Sequence, residues 1–273
     1  MDEQIWELEQ ISNECRKTIL KMIHHAQNGH VGGSLSEIDI LVALYFKIMK
    51  IDPENPGWIE RDRLILSKGH SSPGYYTALA KRGYFDEALL DSFDQIDSRL
   101  QAHPDMNKCP GVDYSTGSLG QGLSVGIGIA EAGIIKNLSF TTFVLMGDGE
   151  TQEGQIWEAL MYAGVKQVKN LVAVFDCNKV QLSTLLSDSI DLSPFSDKLK
   201  AFRWRVVETE GNHMEDISSA LIRAKEESSS GPVAVIANTV KGCGVSFMEN
   251  KYQWHGKAPN DEQLELALQE LGR

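Results

Sequence analysis

The sequence predicts an α/β fold, a parallel β-sheet flanked by helices on both faces. Three observations carry this. From residue 140 onward, continuous apolar runs of strand length alternate with helical stretches, the pattern of strands buried on both faces and joined by crossover helices. Polar and Gly-containing turns follow the C-terminal end of each run, where open parallel sheets bind ligands. No internal repeat, low-complexity tract or linker interrupts the 273 residues, so residues 1–273 read as a single domain of ordinary size.

The elements follow in order. Residues 3–27 repeat apolar side chains at helical spacing (Ile5, Leu8, Ile11, Cys15, Ile19, Met22, Ile23), which predicts a long helix. Asn28-Gly29 stops it, and Ser34 is read as the N-cap of a second helix over 35–50. "DPENPG" (52–57) is a loop, 63–67 ("RLILS") a short buried strand, and 72–82 a helix. Residues 86–118 look irregular, and a long ordered loop in a compact domain is often functional. A helix over 119–136 carries glycines at 120, 122, 126 and 128. Each costs about 1 kcal/mol against Ala in a helix, so something must pack very close to it. Strands are then expected at 140–146, 170–176, 204–210 and 232–239. Helices are expected at 154–165, 194–203 and 213–228, with a last one at 261–271.

Composition excludes several functions. A formal charge of −12 argues against nucleic acid, whose binders need a basic face. The acidic, amphipathic N-terminus is not a signal peptide. No apolar run approaches the ~18 residues that span a bilayer, so a cytoplasmic protein is the expectation. Cysteines 15, 109, 177 and 243 show neither CxxC nor zinc spacing, and read as four reduced thiols.

The strand ends carry the chemistry. They read "SKGH", "GDGE", "DCNK", "TEGNH" and "TVKGCG". In "MGDGETQEG" (146–154), three acids, Asp148, Glu150 and Glu153, crowd together with no visible counter-charge. Asp148 and Asn178 follow two strands joined by one helix, which a right-handed crossover makes neighbours or near-neighbours. Both offer oxygen, which suits a hard cation such as Mg²⁺ holding substrate phosphates. Gly147 and Gly149 let backbone approach a phosphate, and the helix starting near 154 points its N-terminus at the same edge. This is a Mg²⁺–diphosphate proposal. Taken alone, Gly-Asp-Gly is also common turn chemistry, and that reading stays open.

"GDGETQEGQIWEAL…LVAVFDCNKVQ" resembles the thiamine diphosphate motif, and the chain as a whole resembles the N-terminal part of the transketolase family. "NGHVGGSLS" (28–36), "SKGHSSPGYY" (67–76), "AHPD" (102–105), "TGSLGQGLS" (116–124) and "WHGKAP" (254–259) match further family blocks in the same order. The resemblance implies the diphosphate-type half of a thiamine diphosphate-binding fold. It implies a metal, Mg²⁺ or another divalent cation such as Ca²⁺ or Mn²⁺, held by Asp148, Asn178 and the carbonyl of Val180. It places Gly147, Gly149, His70, His255, Gly117, Leu119 and Gly120 against the cofactor. His30, His103 and His255 would face the donor sugar and the charge developing on it. Glu153 would join a carboxylate network running across a subunit interface. It also sits where a helix dipole favours an acid. Glu150 is given no role beyond its place at a helix start, and His24, His25 and His213 match nothing.

Departures narrow the resemblance. Val31 stands for the usual Pro, and Trp157 for a His common in full-length enzymes. "NKVQLSTLL" lacks the family's Asp-Gly turn. Full-length relatives carry two further domains, one with the Glu that activates the pyrimidine. The resemblance therefore implies one chain of a split transketolase. Its partner would be a second subunit with the pyrimidine-binding and C-terminal domains, two copies of each chain forming the assembly. Its reaction would transfer a two-carbon ketol unit from a ketose to an aldose. A non-standard sugar, sulfonated such as 6-deoxy-6-sulfofructose or branched such as apulose 4-phosphate, is the alternative. A non-catalytic relative and a 1-deoxyxylulose-5-phosphate synthase-like enzyme are further readings. The paired Asp148 and Asn178 disfavour the first, and "GDGETQEGQ" with "WHGKAP" disfavours the second.

Overall fold

A computed structural model describes residues 3–272. Its sheet has five strands, all parallel, in the order β1-β2-β3-β5-β4. They are β1 (Arg63–Leu66), β2 (Thr142–Gly147), β3 (Leu171–Cys177), β4 (Arg205–Glu210) and β5 (Val233–Asn238). The central strands are mainly apolar and buried along nearly their whole length because both faces are covered. The edge strand β4 instead exposes Arg205, Glu208 and Glu210, charges that discourage pairing with another chain.

The helices are α1 (Glu3–Ala26), α2 (Val31–Ala43), α3 (Ser72–Arg82), α4 (Gly122–Ile135), α5 (Gly154–Lys166), α6 (Phe195–Ala201), α7 (Met214–Ser228) and α8 (Asp261–Glu270). One core packs α1, α2, α3 and α7 on the face showing Leu64, Leu66, Phe143, Leu145, Val172 and Val174. The other packs α4, α5 and α6 on Ile65, Val144, Met146, Ala173 and Phe175. The chain steps from β2 through β3 to the edge with its helices on one side. It then turns back so that β5 inserts between β3 and β4, and a right-handed return puts α7 on the other side. The loop after β1 leads to α3 on one face and the loop after β2 to α5 on the other. Such a divergence opens a ligand crevice at the carboxyl ends of the strands.

Three expectations are corrected. The second helix begins at Val31, not 35, and runs through Ala43 into a π-helical stretch, Leu44–Ile48. Ser34 is therefore not its N-cap. His30 holds that position, and Ser34 Oγ, inside the first turn, donates back to the His30 carbonyl at 2.8 Å. Every residue of α2 is buried, so the helix has no solvent face and shows little periodicity. The glycine-rich helix starts at Gly122 rather than 119, and the 86–118 stretch contains a 3₁₀ segment, Glu87–Ser92. The close packing expected on α4 is present. A Cβ on Gly122 would meet the Ser67 side chain at 2.4 Å, and one on Gly126 would meet Val144 Cγ2 at 2.4 Å. Gly128 meets nothing within 4 Å. All four cysteines are free. No helix among the described residues is long and apolar enough to cross a membrane.

Candidate active site

Parallel pairing of Gly147 with Asp176 brings the loops after β2 and β3 side by side, so Asp148 and Asn178 leave adjacent strands. Asp148 is only 4% exposed. Its Oδ1 accepts from the Gly149 N–H at 2.8 Å and its Oδ2 from the Lys179 N–H at 2.6 Å, while its own N–H donates to the Asp176 carbonyl. Burial, and after it the Asp176 carboxylate, push the Asp148 carboxyl up to about 6. Among the described residues Asp148 forms no ion pair. A buried carboxylate left without a direct counter-charge suits a cation.

Asn178 is oriented by what lies beneath it. Its Nδ2 donates to Asp176 Oδ2 at 3.2 Å and lies 3.4 Å from Ser36 Oγ. The amide oxygen is thereby turned the other way, where it accepts from the Val180 N–H at 3.2 Å. The carbonyl of Val180 accepts from Lys241 Nζ at 2.9 Å. Among the described residues no group of three or more His, Cys, Asp or Glu could hold a metal. An ion here would take one carboxylate, one amide oxygen and one carbonyl. That set fits Mg²⁺, whose octahedron then keeps places for phosphate oxygens and water.

A buried charge network supports this floor. Lys68, directly after β1, pairs with Glu37 Oε2 at 2.7 Å and with Asp176 Oδ2. Asp176 also accepts from Ser36 Oγ at 2.6 Å and from Thr239 Oγ1. Burial alone would raise the Asp176 carboxyl, but Lys68 and the two hydroxyls outweigh it and hold it below the usual range. At Glu37 burial wins over Lys68 and pushes the carboxyl up to about 7. One of its oxygens, Oε1, has no hydrogen-bond partner. Lys68 is held charged by the two acids despite its burial. Two acids share one lysine, and their carboxyls shift in opposite directions, Asp176 down and Glu37 up.

The histidines do converge. His30 stands edge-on to His70, with ring centroids 4.9 Å apart, and to His255 at 5.2 Å, while His70 and His255 stack at 5.2 Å. His103 lies along Gly117, where a Cβ would meet its ring at 3.4 Å. Burial is the main force lowering all three clustered imidazoles, reinforced by neighbouring positive charge. His255, with Lys241 beside it, is brought down to about 3. Lys241 Nζ is 2.7 Å from His255 Nδ1. With the lysine as donor, Nδ1 is the acceptor and Nε2 carries the proton. Burial also lowers Lys241, to about 8.

The remaining predicted residues line the same edge. Gly117 and Gly120 have positive φ, and Gly120, at +82°, has room for a Cβ only where Glu153 Cβ already stands, 2.8 Å away. Leu119 is partly exposed beside them. Gly147 lies against Lys68 and Gly149 against Gln181. Glu153 precedes α5 with its side chain exposed. Glu150, for which the sequence gives no role, is buried and accepts three hydrogen bonds, from Ser67, Gly120 and Gly147. Four further residues escape sequence reasoning: Glu37, Lys68, Asp176 and Lys241. Their one signal is position. Lys68, Asp176 and Lys241 stand at strand ends, and Glu37 is an acid inside an apolar helix.

Known proteins resemble this chain over nearly its whole length. The family model for "Transketolase, thiamine diphosphate binding domain" matches residues 8–273. The chain is 44% identical to a 6-deoxy-6-sulfo-D-fructose transketolase subunit of Clostridium sp. (strain MSTE9), over 99% of this chain and 98% of that one. It is 39% identical to an apulose-4-phosphate transketolase subunit of Phocaeicola vulgatus, over 98% and 95%. Against the transketolase of Rattus norvegicus it is 34% identical but spans 42% of that protein's length. The crystal structure of transketolase from Campylobacter jejuni superposes with a TM-score of 0.92 at 30% identity, covering the whole of this chain and 43% of the other.

Proposed function

The chain belongs to the transketolase family, in its thiamine diphosphate-binding part, and from that membership we propose that it is the diphosphate-binding subunit of a transketolase assembled from two kinds of chain. The observation that carries the reading is the joint presence, on one sheet edge, of the Asp148–Asn178 pair and the His30–His70–His255 cluster. Near full-length similarity to relatives named as transketolase subunits supports it.

When bound, thiamine diphosphate supplies the carbon nucleophile that accepts a ketol unit. This chain's residues bind and orient. Asp148, Asn178 and the Val180 carbonyl would hold Mg²⁺, or another divalent cation, on the diphosphate. For that, Lys241 must release the Val180 carbonyl or share it. Gly147, Gly149, His70, Gly117, Leu119 and Gly120 would pack against the cofactor, with His255 beside its diphosphate. The imidazoles of His30 and His255, neutral because burial lowers them, are suited to exchange hydrogen bonds with sugar hydroxyls. His103, exposed at the rim, would meet the same substrate. Glu153, exposed beside Gly120, would face the partner chain.

That partner would carry the pyrimidine-binding and C-terminal domains, with two copies of each chain in a cytoplasmic assembly. Residues 1–273 would form the single diphosphate-binding domain. Reaction would transfer a two-carbon ketol unit from a ketose to an aldose. Whether the sugar ends in phosphate or sulfonate would be read chiefly by the partner. The test is reconstitution with the partner chain and a panel of ketose donors, including 6-deoxy-6-sulfofructose, apulose 4-phosphate and ordinary ketose phosphates. One donor should turn over only when both chains are present. Full turnover by the purified chain alone would refute the two-chain reading.

A further inference from the structure

Glu150 is the acid of "GDGE" that neither the metal nor the interface explains. It lies in a short 3₁₀ turn, Gly149–Gln152, between β2 and α5, and is 4% exposed. Its Oε1 accepts from Ser67 Oγ at 2.5 Å and from the Gly120 N–H at 2.8 Å, and its Oε2 accepts from the Gly147 N–H at 3.1 Å. Ser67 has one hydroxyl proton, and it goes to Glu150. Its lone pair then accepts from the Gly122 N–H at 3.2 Å. One carboxylate thus ties together the end of β1, the segment before α4 and the end of β2.

We propose that Glu150 is a positioning residue, fixing the 117–120 segment against the 147–149 turn so that both walls of the cofactor site stand in place before the cofactor arrives. The role rests on the functional reading above. All three groups that meet the carboxylate are donors, and only an acceptor-only side chain satisfies them together. The amide of Gln, nearly the same shape, would set an N–H against one of those donors. The segment it holds has little slack. Gly120 abuts Glu153, and Gly122 abuts Ser67 too closely for any Cβ. Released from Glu150, the Gly120 N–H would lose its buried acceptor and the segment its link to the Gly147 turn.

Glu150→Gln tests this, with Ser67→Ala as a milder variant that removes the Ser67 Oγ bond to Glu150 and the Gly122 N–H bond to Ser67 and leaves Gly120 paired. Amide hydrogen exchange and thiamine diphosphate binding in the presence of Mg²⁺ are measured on each full chain. In Glu150→Gln, exchange at Gly120 and Gly122 should accelerate about 10- to 100-fold while β4 amides keep their wild-type rates. Cofactor affinity should fall about tenfold or more, because the loop must now be ordered on binding. Ser67→Ala should show the exchange effect at Gly122 and a smaller loss of affinity. Wild-type cofactor affinity in both variants would overturn the positioning role. So would a loss of protection spread evenly over the chain in Glu150→Gln combined with unchanged affinity in Ser67→Ala. A wild-type chain that binds no thiamine diphosphate would overturn the functional reading first, and the positioning role with it.

Discussion

Lys241 Nζ stands 2.7 Å from His255 Nδ1 and 2.9 Å from the carbonyl oxygen of Val180. One ammonium therefore links an imidazole of the histidine cluster to a carbonyl expected to meet the metal. As donor to Nδ1, it sets the tautomer of His255.

Replacing that charge should be felt at both ends. Lys241→Gln keeps much of the length and removes the cation. Cofactor affinity should fall about tenfold or more, the scale of a lost charge-assisted hydrogen bond. The ¹⁵N signals of His255 should show that Nε2 no longer holds the proton exclusively. Unchanged affinity together with an unchanged tautomer would show that Lys241 merely neighbours the site.

The imidazoles give a pH dependence with a definite sign. Burial lowers His30 and His70, and lowers His255 to about 3. Below the ordinary imidazole value of about 6.5 the unfolded chain therefore binds more protons than the folded one. These groups cost nothing at high pH, and stability falls as pH drops through that value. The ring C–H signals of His255 should stay at neutral-form positions from about pH 8 to about pH 5. A His255 titration midpoint between 6 and 7 would contradict the packing described for the cluster.

The glycines of α4 should separate by what faces them. Gly126→Ala drives a methyl into Val144 and should destabilise by about 1–3 kcal/mol. Gly128→Ala meets only open space and should stabilise the isolated chain by up to about 1 kcal/mol. Denaturant midpoints of the two variants check this, and equal shifts in one direction would contradict it.

The sheet was legible because its strands are long apolar runs ending in turn residues, and parallel pairing follows from the helices between them. Asp148 and Asn178 were legible because a single crossover fixes their strands as near-neighbours. The start of α2 was not. Val31-Gly32-Gly33 looks like a helix break, yet a Cβ on Gly32 would strike the Trp254 carbonyl and Lys241. Gly32 serves a close approach that only the tertiary fold reveals. Lys68, Asp176 and Glu37 were hidden for a related reason. They come from three distant segments, and nothing in any one segment tells that a lysine will be buried between two acids. Glu150 was seen but could not be assigned, because its three donors come from β1, the segment before α4 and the end of β2.

Under the proposed function, the buried carboxylate of Asp148 holds a divalent cation on the diphosphate of the cofactor. Titration calorimetry of thiamine diphosphate into the chain, with and without Mg²⁺, tests it when wild type and Asp148→Ala are compared. The wild type should bind in a Mg²⁺-dependent manner and Asp148→Ala should lose that binding, with its fold intact by circular dichroism. Equal, metal-dependent binding by both proteins would contradict it.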